Sequence, residues 1–206
     1  MKNDFKADGV KISVPPTILY SMVAKIPDIR KTVTSYFKAS GDLIYQLGET
    51  YNELGASEYY ALHGYLGANL PIVRPNNAKD LYQMVMRANA KGLIQNCHDL
   101  SDGGLMVALT ECTFGGLGAK IEVSGLLNTN QDVNLQAILF AESHSRFVVS
   151  VAPAHQISFE AIMGKRAILL GQVTAQPQLI VTCQNTTCID LPTEALLHAW
   201  DAGLGL

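Results

Sequence analysis

The chain has 206 residues, of which 48% are hydrophobic and 16% are charged, and its formal net charge at pH 7 is -3. This composition is typical of a folded globular protein and disfavours disorder. The absence of a Lys/Arg-rich block disfavours nucleic acid as a partner. Apolar stretches are of strand length, too short for a membrane span, and the polar start Met-Lys-Asn-Asp-Phe-Lys is unlike a secretory signal. We therefore expect a cytoplasmic protein.

The first 36 residues predict separate strands rather than a self-contained domain. Val10 to Val14 and Thr17 to Ile26 have strand patterns, interrupted by Pro15-Pro16, and Pro27 opens a short turn or helix. Two strands without a helix beside them cannot close a core. We therefore expect this segment to need a partner, either the rest of its own sheet or another chain.

From residue 37 onward, strand and helix patterns alternate along the chain. The predicted strands are Asp42 to Leu47, Leu93 to His98, Ala119 to Val123, Arg146 to Val151, Ala167 to Gln172, Leu179 to Cys183 and Thr186 to Asp190. The predicted helices are a turn at Ser57 to His63, a long helix ending at Gly92, then Asp102 to Thr113, Asn134 to Glu142, Ala154 to Met163 and Thr193 to Asp201. This order predicts an α/β (α+β) fold, a mixed β-sheet sandwiched by helices, with the last strands forming a hairpin.

The most informative motif is His98-Asp-Leu-Ser-Asp-Gly-Gly-Leu105, which joins a predicted strand to a predicted helix. Ser101 or Asp102 can cap the first turn, and Gly103 and Gly104 would leave its amide groups open to an anion. Together with Asp99, these residues predict a phosphate- or carboxylate-binding site. The alternative is that the polar pair only caps the helix and the glycines only permit a tight turn.

A second candidate segment is Phe140-Ala-Glu-Ser-His-Ser-Arg-Phe147, at a predicted helix-to-strand junction. Junction loops often carry ligands, which makes Glu142, Ser143 and Arg146 candidates for substrate or phosphate binding. Arg146 could bind phosphate or pair with Glu142 and tie the helix end to the strand. No catalytic residue is predicted. No metal site is predicted either, since the four cysteines lack zinc-site spacing.

Five ordered segments carry a family resemblance that covers nearly the whole chain. They resemble the C-terminal end of the phosphoribosylformylglycinamidine synthase family, the synthetase subunit of purine biosynthesis in its small multi-subunit form. The wider superfamily includes aminoimidazole ribonucleotide synthetase, whose C-terminal domain has the fold that the resemblance implies. The segments are 15–34, 41–48, 53–60, 98–105 and 140–147.

The resemblance implies a domain organisation and a parent activity. Residues 1–36 would be the last strands of a preceding nucleotide-binding domain, and residues 37–206 the C-terminal α/β domain. The parent enzyme would be an ATP-dependent carbon–nitrogen ligase that converts formylglycinamide ribonucleotide, ATP and glutamine-derived ammonia to formylglycinamidine ribonucleotide. ATP and Mg²⁺ would be held mainly by the nucleotide-binding domains, so we expect this fragment alone to bind neither and to be inactive.

The resemblance also implies partners, namely the remaining domains of the enzyme, a glutaminase subunit and a small bridging subunit, with a homodimer left open. Glu142-Ser143-His144 is similar to the symmetry counterpart of the family's substrate loop, with His144 where that loop has Gln. Two alternatives remain at this point. The chain could be a regulatory module that binds a phosphorylated metabolite, or the C-terminal domain of another synthetase or kinase of the superfamily.

Overall fold

The computed structural model describes residues 4–13, 19–26, 28–127 and 132–203. The chain divides into two compact units, residues 1–30 and 31–206. The first unit contains an antiparallel hairpin of β1 (Asp4–Ala7) and β2 (Val10–Ser13). The assignment of residues 1–36 to a preceding domain stays a prediction.

The second strand predicted in this first unit, Thr17 to Ile26, is wrong over the part that can be judged. Residues 19–26 have no regular secondary structure, and residues 17 and 18, like Val14, lie outside the described residues. A strand needs a neighbour to pair its backbone groups. In the described part of this unit, the only paired strands are those of the β1–β2 hairpin.

The second unit is built on a seven-stranded mixed sheet. Its strands are β3 (Leu43–Leu47), β4 (Asn96–Asp99), β5 (Gly118–Glu122), β6 (Phe147–Val151), β7 (Ala167–Thr174), β8 (Gln178–Cys183) and β9 (Thr186–Pro192). Their order across the sheet is β4-β6-β3-β7-β5-β8-β9. Neighbours are antiparallel except for the parallel pair β5–β8.

Most helices lie in the connections between these strands, and the last one follows β9. The helices are α1 (Glu58–Leu62), α2 (Pro75–Ala90), α3 (Gly104–Thr113), α4 (Ser124–Leu127), α5 (Leu135–Phe140), α6 (Gln156–Met163) and α7 (Thr193–Gly203). Side-chain caps explain two of the starts, because the Ser57 hydroxyl accepts from the Tyr60 N–H and the Asn134 side chain accepts from the Ala137 N–H. Pro75 occupies the first turn of α2, where a missing N–H costs nothing.

Alternation along the strands sends neighbouring side chains to opposite faces, and each face has its own core. On one face, Ile44, Ile121 and Val148 belong to a cluster that includes Leu105 and Ile138 from α3 and α5. On the other face, Tyr45, Val149 and Val151 pack with side chains of α2 and α6, such as Leu81 and Phe159. The predicted α/β sandwich with a mixed sheet is confirmed.

Several element boundaries differ from the sequence-based expectation. The strand predicted at Leu93 to His98 begins at Asn96 and ends at Asp99, and Leu93 and Ile94 are buried in the connection between α2 and this strand. The helix predicted from Asp102 begins at Gly104. The C-terminal hairpin is confirmed, since Gln184 and Asn185 take left-handed φ values of 50° and 63° between β8 and β9.

The topology brings the two candidate segments together. β4 and β6 are adjacent antiparallel strands in which Asp99 pairs with Phe147. The turn after β4 and the loop before β6 therefore emerge at the same end of the sheet, although residues 104–140 separate them in the chain. Among the described residues, no helix combines the length and apolar character that a membrane crossing requires.

Candidate functional site

The turn between β4 and α3 is the first part of the site. Asp99, Ser101 and Asp102 are exposed, whereas Gly103 and Gly104 are buried. Gly103 has a φ of 74° and is the N-cap of α3, without a side-chain cap hydrogen bond. The predicted cap by Ser101 or Asp102 is therefore wrong, because the left-handed glycine places both residues outside the helix start.

Gly104 is required by its surroundings. Its φ is 66°, and a Cβ built on it would lie 2.5 Å from the Ala141 carbonyl oxygen and 2.9 Å from the carbonyl carbon of Phe140. Both atoms are backbone at the end of α5, so they cannot move aside cheaply. The glycine thus lets the start of α3 pack directly against the end of α5.

The amide groups of this turn already have acceptors inside the protein. The Gly103 N–H donates to Glu142 Oε1 at 3.0 Å, and the Gly104 N–H donates to the Ser101 carbonyl at 3.0 Å. The same Glu142 oxygen also accepts from the Glu58 N–H, at 2.9 Å. A carboxylate at the N-terminus of a helix is favoured by the helix dipole. The prediction that the amides of Gly103 and Gly104 are open to an external anion is therefore wrong, because the anion at this helix start is the side chain of Glu142.

Ser143 is buried and engaged with Tyr51. Its hydroxyl oxygen lies 3.2 Å from the Tyr51 N–H, which donates to it, and 3.4 Å from the Tyr51 carbonyl. Both backbone groups of Tyr51 are thus tied to the loop that precedes β6. Ser143 is thus held by the backbone of Tyr51, and its role in substrate or phosphate binding stays a prediction.

Arg146 lies beneath the same loop and is 1% exposed. Its Nε donates to the Ser143 carbonyl at 2.8 Å, its Nη1 donates to Thr50 Oγ1 at 3.1 Å, and its Nη2 donates to the Ala141 carbonyl. The guanidinium thus binds oxygens of Ser143, Thr50 and Ala141 rather than the Glu142 carboxylate, and phosphate binding by Arg146 stays a prediction. Burial lowers the pKa of the guanidinium to about 10, and the nearby carboxylates of Glu53 and Glu142 oppose that shift. The side chain is therefore a buried cation that braces the loop.

A second arginine continues this polar layer. Arg74 Nη2 pairs with Glu53 Oε1 at 2.7 Å, and its guanidinium lies 3.4 Å from the centroid of the Tyr51 ring. The Glu53 side chain is 6% exposed, so the pair lies largely out of water. Since Tyr51 also contacts Ser143, this layer connects the start of α2 to the loop before β6.

The two segments form one wall of an open cleft of about 360 Å³. Five of the predicted residues line it, namely Asp99, Ser101, Asp102, Glu142 and Arg146. Gly103, Gly104 and Ser143 are behind this lining and shape the turn and the loop.

Six residues that were not among the predicted site residues complete the cleft: Pro71, Tyr82, Leu100, His144, Ser145 and Phe147. The Tyr82 hydroxyl lies 2.9 Å from Ser145 Oγ, which joins α2 to the loop. Ser145 has a φ of 60°, unusual for serine. The local sequence does not predict the left-handed conformation of Ser145, and from the sequence Tyr82 is an ordinary helix residue.

The chemistry of the cleft favours hydrogen-bond donors over anions. Three carboxylates face it, from Asp99, Asp102 and Glu142, and the hydroxyls of Ser101 and Ser145 add further acceptors. The Gly103 and Gly104 amides and the Arg146 guanidinium, which could attract phosphate, are engaged within the protein. Over the described ranges, no group of three His, Cys, Asp or Glu side chains is placed to hold a metal ion.

Comparison with known families decides what kind of domain this is. The family model "AIR synthase related protein, C-terminal domain" matches residues 39–184. The chain belongs to this family. Phosphoribosylformylglycinamidine synthase subunit PurL of Alkaliphilus metalliredigens is 41% identical over 147 residues, covering 70% of this chain and 19% of that protein. The same subunit of Moorella thermoacetica is 34% identical over 193 residues, covering 91% of this chain and 25% of that protein. The chain thus spans about a fifth to a quarter of these relatives.

Solved structures show the same fold. Thermotoga maritima PurL complexed with FGAR superposes with a TM-score of 0.71 at 21% identity, over 82% of this chain and 30% of that one. The complex with ATP and the PurLQS structure from the same organism match with TM-scores of 0.65 and 0.67, both at 22% identity. Each covers 82% of this chain and, respectively, 27% and 28% of the other. At this identity the likeness concerns the fold of this family.

Proposed function

We propose that this chain supplies the C-terminal domain of phosphoribosylformylglycinamidine synthase. The observation that carries the proposal is the identity of 41% to a curated synthase subunit within the region matched by the family model. The reaction of the whole enzyme would convert formylglycinamide ribonucleotide, ATP and glutamine-derived ammonia to formylglycinamidine ribonucleotide. Such chemistry phosphorylates the amide oxygen to make a leaving group and then adds ammonia.

The domain would form a wall of a cleft shared with other domains rather than a nucleotide site. The Thermotoga maritima relative is known in complex with ATP, but the cleft described here does not fit a triphosphate with Mg²⁺. Glu142 accepts a hydrogen bond at the helix start, and the Arg146 guanidinium donates to the carbonyls of Ala141 and Ser143. We therefore assign ATP and Mg²⁺ to the rest of the enzyme, and we expect the chain alone to be inactive.

Partners and location follow from the same assignment. The remaining domains of the synthase, a glutaminase subunit and a small bridging subunit would complete the enzyme in the cytoplasm, in line with a PurLQS structure for the Thermotoga maritima relative. A regulatory module that binds a phosphorylated metabolite is a weaker reading, because its anion would have to displace the Glu142 carboxylate from two N–H donors.

The test is an assay of the longer polypeptide that contains this chain. With formylglycinamide ribonucleotide, ATP, Mg²⁺ and ammonium, it should form ADP and the amidine, whereas the chain alone should form neither. Omission of the ribonucleotide should abolish ADP formation and serves as the control. An inactive longer polypeptide, or an active isolated chain, would overturn the proposal.

A further inference from the structure

Residues 62–73, which connect α1 to α2, present an uncharged apolar surface, called here the 62–73 surface. The segment contains no Asp, Glu, Lys or Arg. Its six large hydrophobic side chains are between 53% and 82% exposed: Leu62, Tyr65, Leu66, Leu70, Ile72 and Val73. Single exposed hydrophobic residues are ordinary, but a contiguous apolar patch marks an interaction site.

The backbone of this segment is held in place although its side chains are not covered. The Ala56 N–H donates to the Leu66 carbonyl at 2.6 Å, and the Gly55 N–H donates to the Asn69 carbonyl at 3.0 Å. The Ile72 N–H donates to the buried carboxylate of Glu53 at 3.2 Å. Ordering a segment costs conformational entropy, and here little side-chain burial within the chain offsets that cost. The surface is thus built in advance of a partner.

Side-chain packing supports one fixed conformation of the segment. Gly67 has a φ of 71°, and a Cβ at that position would lie 2.6 Å from the ring of Tyr60. The Tyr60 and Tyr65 rings also lie edge to face, with centroids 6.1 Å apart. Tyr59, the next residue on α1, stacks on Phe140 with ring centroids 4.6 Å apart. The apolar surface is therefore continuous with the packing of the domain.

We propose that the 62–73 surface packs permanently against another domain of the longer polypeptide, and this proposal rests on the proposed function. The first argument is length, since the chain corresponds to only 19% and 25% of two synthase subunits. The second is composition, since permanent interfaces are more apolar than transient ones and an uncharged surface suits contact that is never broken. Pro71 at the end of the segment also lines the cleft, so the docked domain supplies the wall that faces Asp99 and Glu142.

The experiment compares one substitution in two forms of the protein. In the chain alone, Leu66→Asp should change the Tm by less than about 2 °C, because the side chain is exposed. In the longer polypeptide, the same substitution should lower the Tm by about 4 °C or more, because docking removes the aspartate from water. Tyr65 should also be protected from hydroxyl-radical oxidation in the longer polypeptide and accessible in the chain alone.

Ile157→Asp is the matched control, because Ile157 on α6 is 85% exposed and lies outside the 62–73 surface. It should have the same small effect in both forms. Equal effects of Leu66→Asp in the two forms would overturn the proposal. The proposal would also be overturned if Leu66→Asp abolished a concentration-dependent dimer without lowering the Tm of the longer polypeptide. The partner of the 62–73 surface would then be a second copy of the protein. This test is independent of the activity assay, because the Tm difference can be measured even in a longer polypeptide that makes no amidine.

Discussion

Two regions that border the cleft differ in what their side chains contact: in one, polar groups are hydrogen-bonded within the chain, and in the other, apolar side chains are exposed. Around the start of α3, the Gly103 N–H donates to the Glu142 carboxylate, and the Arg146 guanidinium donates to the carbonyls of Ala141 and Ser143 in its own loop. The 62–73 surface instead has a bonded backbone and exposed apolar side chains. The polar groups of the motif are thus hydrogen-bonded within the chain, whereas the 62–73 surface leaves its apolar side chains available to a partner.

The largest expected effect comes from removing the cation at the base of the polar region. Arg146→Met should lower the free energy of unfolding by about 3–5 kcal/mol, because it leaves the carbonyls of Ala141 and Ser143 buried without a donor. Urea denaturation measures the loss. Arg87→Met is the matched control at an exposed position of α2 and should cost less than about 0.5 kcal/mol. Equal losses for the two variants would show that the buried guanidinium does not brace the loop.

The next effect concerns the close contact between α3 and α5. Gly104→Ala should cost about 2–4 kcal/mol, since it combines a left-handed φ with a clash against the Ala141 carbonyl oxygen. Gly92→Ala isolates the first of these causes, because Gly92 has a φ of 69° and nothing within 4 Å of its Cβ position. It should cost about 1–2 kcal/mol. If thermal or urea denaturation finds no difference between the two, the contact is not what requires Gly104.

Local patterns along the sequence were sufficient for much of the fold. The alternation of strand and helix patterns after residue 37 predicts the mixed sheet with helices on its faces, and apolar spacing locates α2, α3 and β6 to within a few residues. The failure at residues 19–26 has a physical reason. Strand propensity describes the residue, whereas a strand also needs a neighbour that local sequence cannot provide.

The candidate site was less predictable because its contacts are long-range. The motif at 98–105 identifies a strand-to-helix turn, but the acceptor for the Gly103 N–H is Glu142, 39 residues further along the chain. Arg146 has the residue type of a phosphate ligand, and only the packing around it shows that it is buried and bonded to carbonyls. The exposed 62–73 surface carries no motif, and its sole sequence signal is the lack of charge over twelve residues.

A smaller effect is expected at the carboxylate that closes the helix start. Glu142→Ala leaves the buried Gly103 N–H without its acceptor and should cost about 1–2 kcal/mol. Glu142→Gln keeps a carbonyl acceptor and should cost less than the alanine variant. Amide hydrogen exchange at Gly103 should accelerate in Glu142→Ala. Unchanged exchange there would mean that the N–H is protected by packing rather than by the carboxylate.

The smallest effect concerns a second half-buried carboxylate at the start of a helix. Glu122 Oε1 accepts from the hydroxyl and the N–H of Ser124 at the start of α4, and Glu122 Oε2 accepts from the Thr182 hydroxyl. These hydrogen bonds, led by that of the Ser124 side chain, lower the pKa of Glu122 to about 2. A carboxyl with a depressed pKa in the folded state stabilises the protein above its unfolded pKa, and that stability is lost as pH falls toward the folded value.

Glu122→Gln should therefore reduce the urea midpoint near pH 6, and the reduction should shrink as pH falls from about 4.5 toward 2. Ser124→Ala removes the first of the donors and should reproduce part of the pH dependence while leaving the carboxylate in place. The effect should be below that of Glu142→Ala, because the glutamine keeps a side-chain oxygen that can accept from the Ser124 N–H. A pH-independent difference between wild type and Glu122→Gln would show that the Ser124 contacts do not discriminate between the charged and neutral carboxyl.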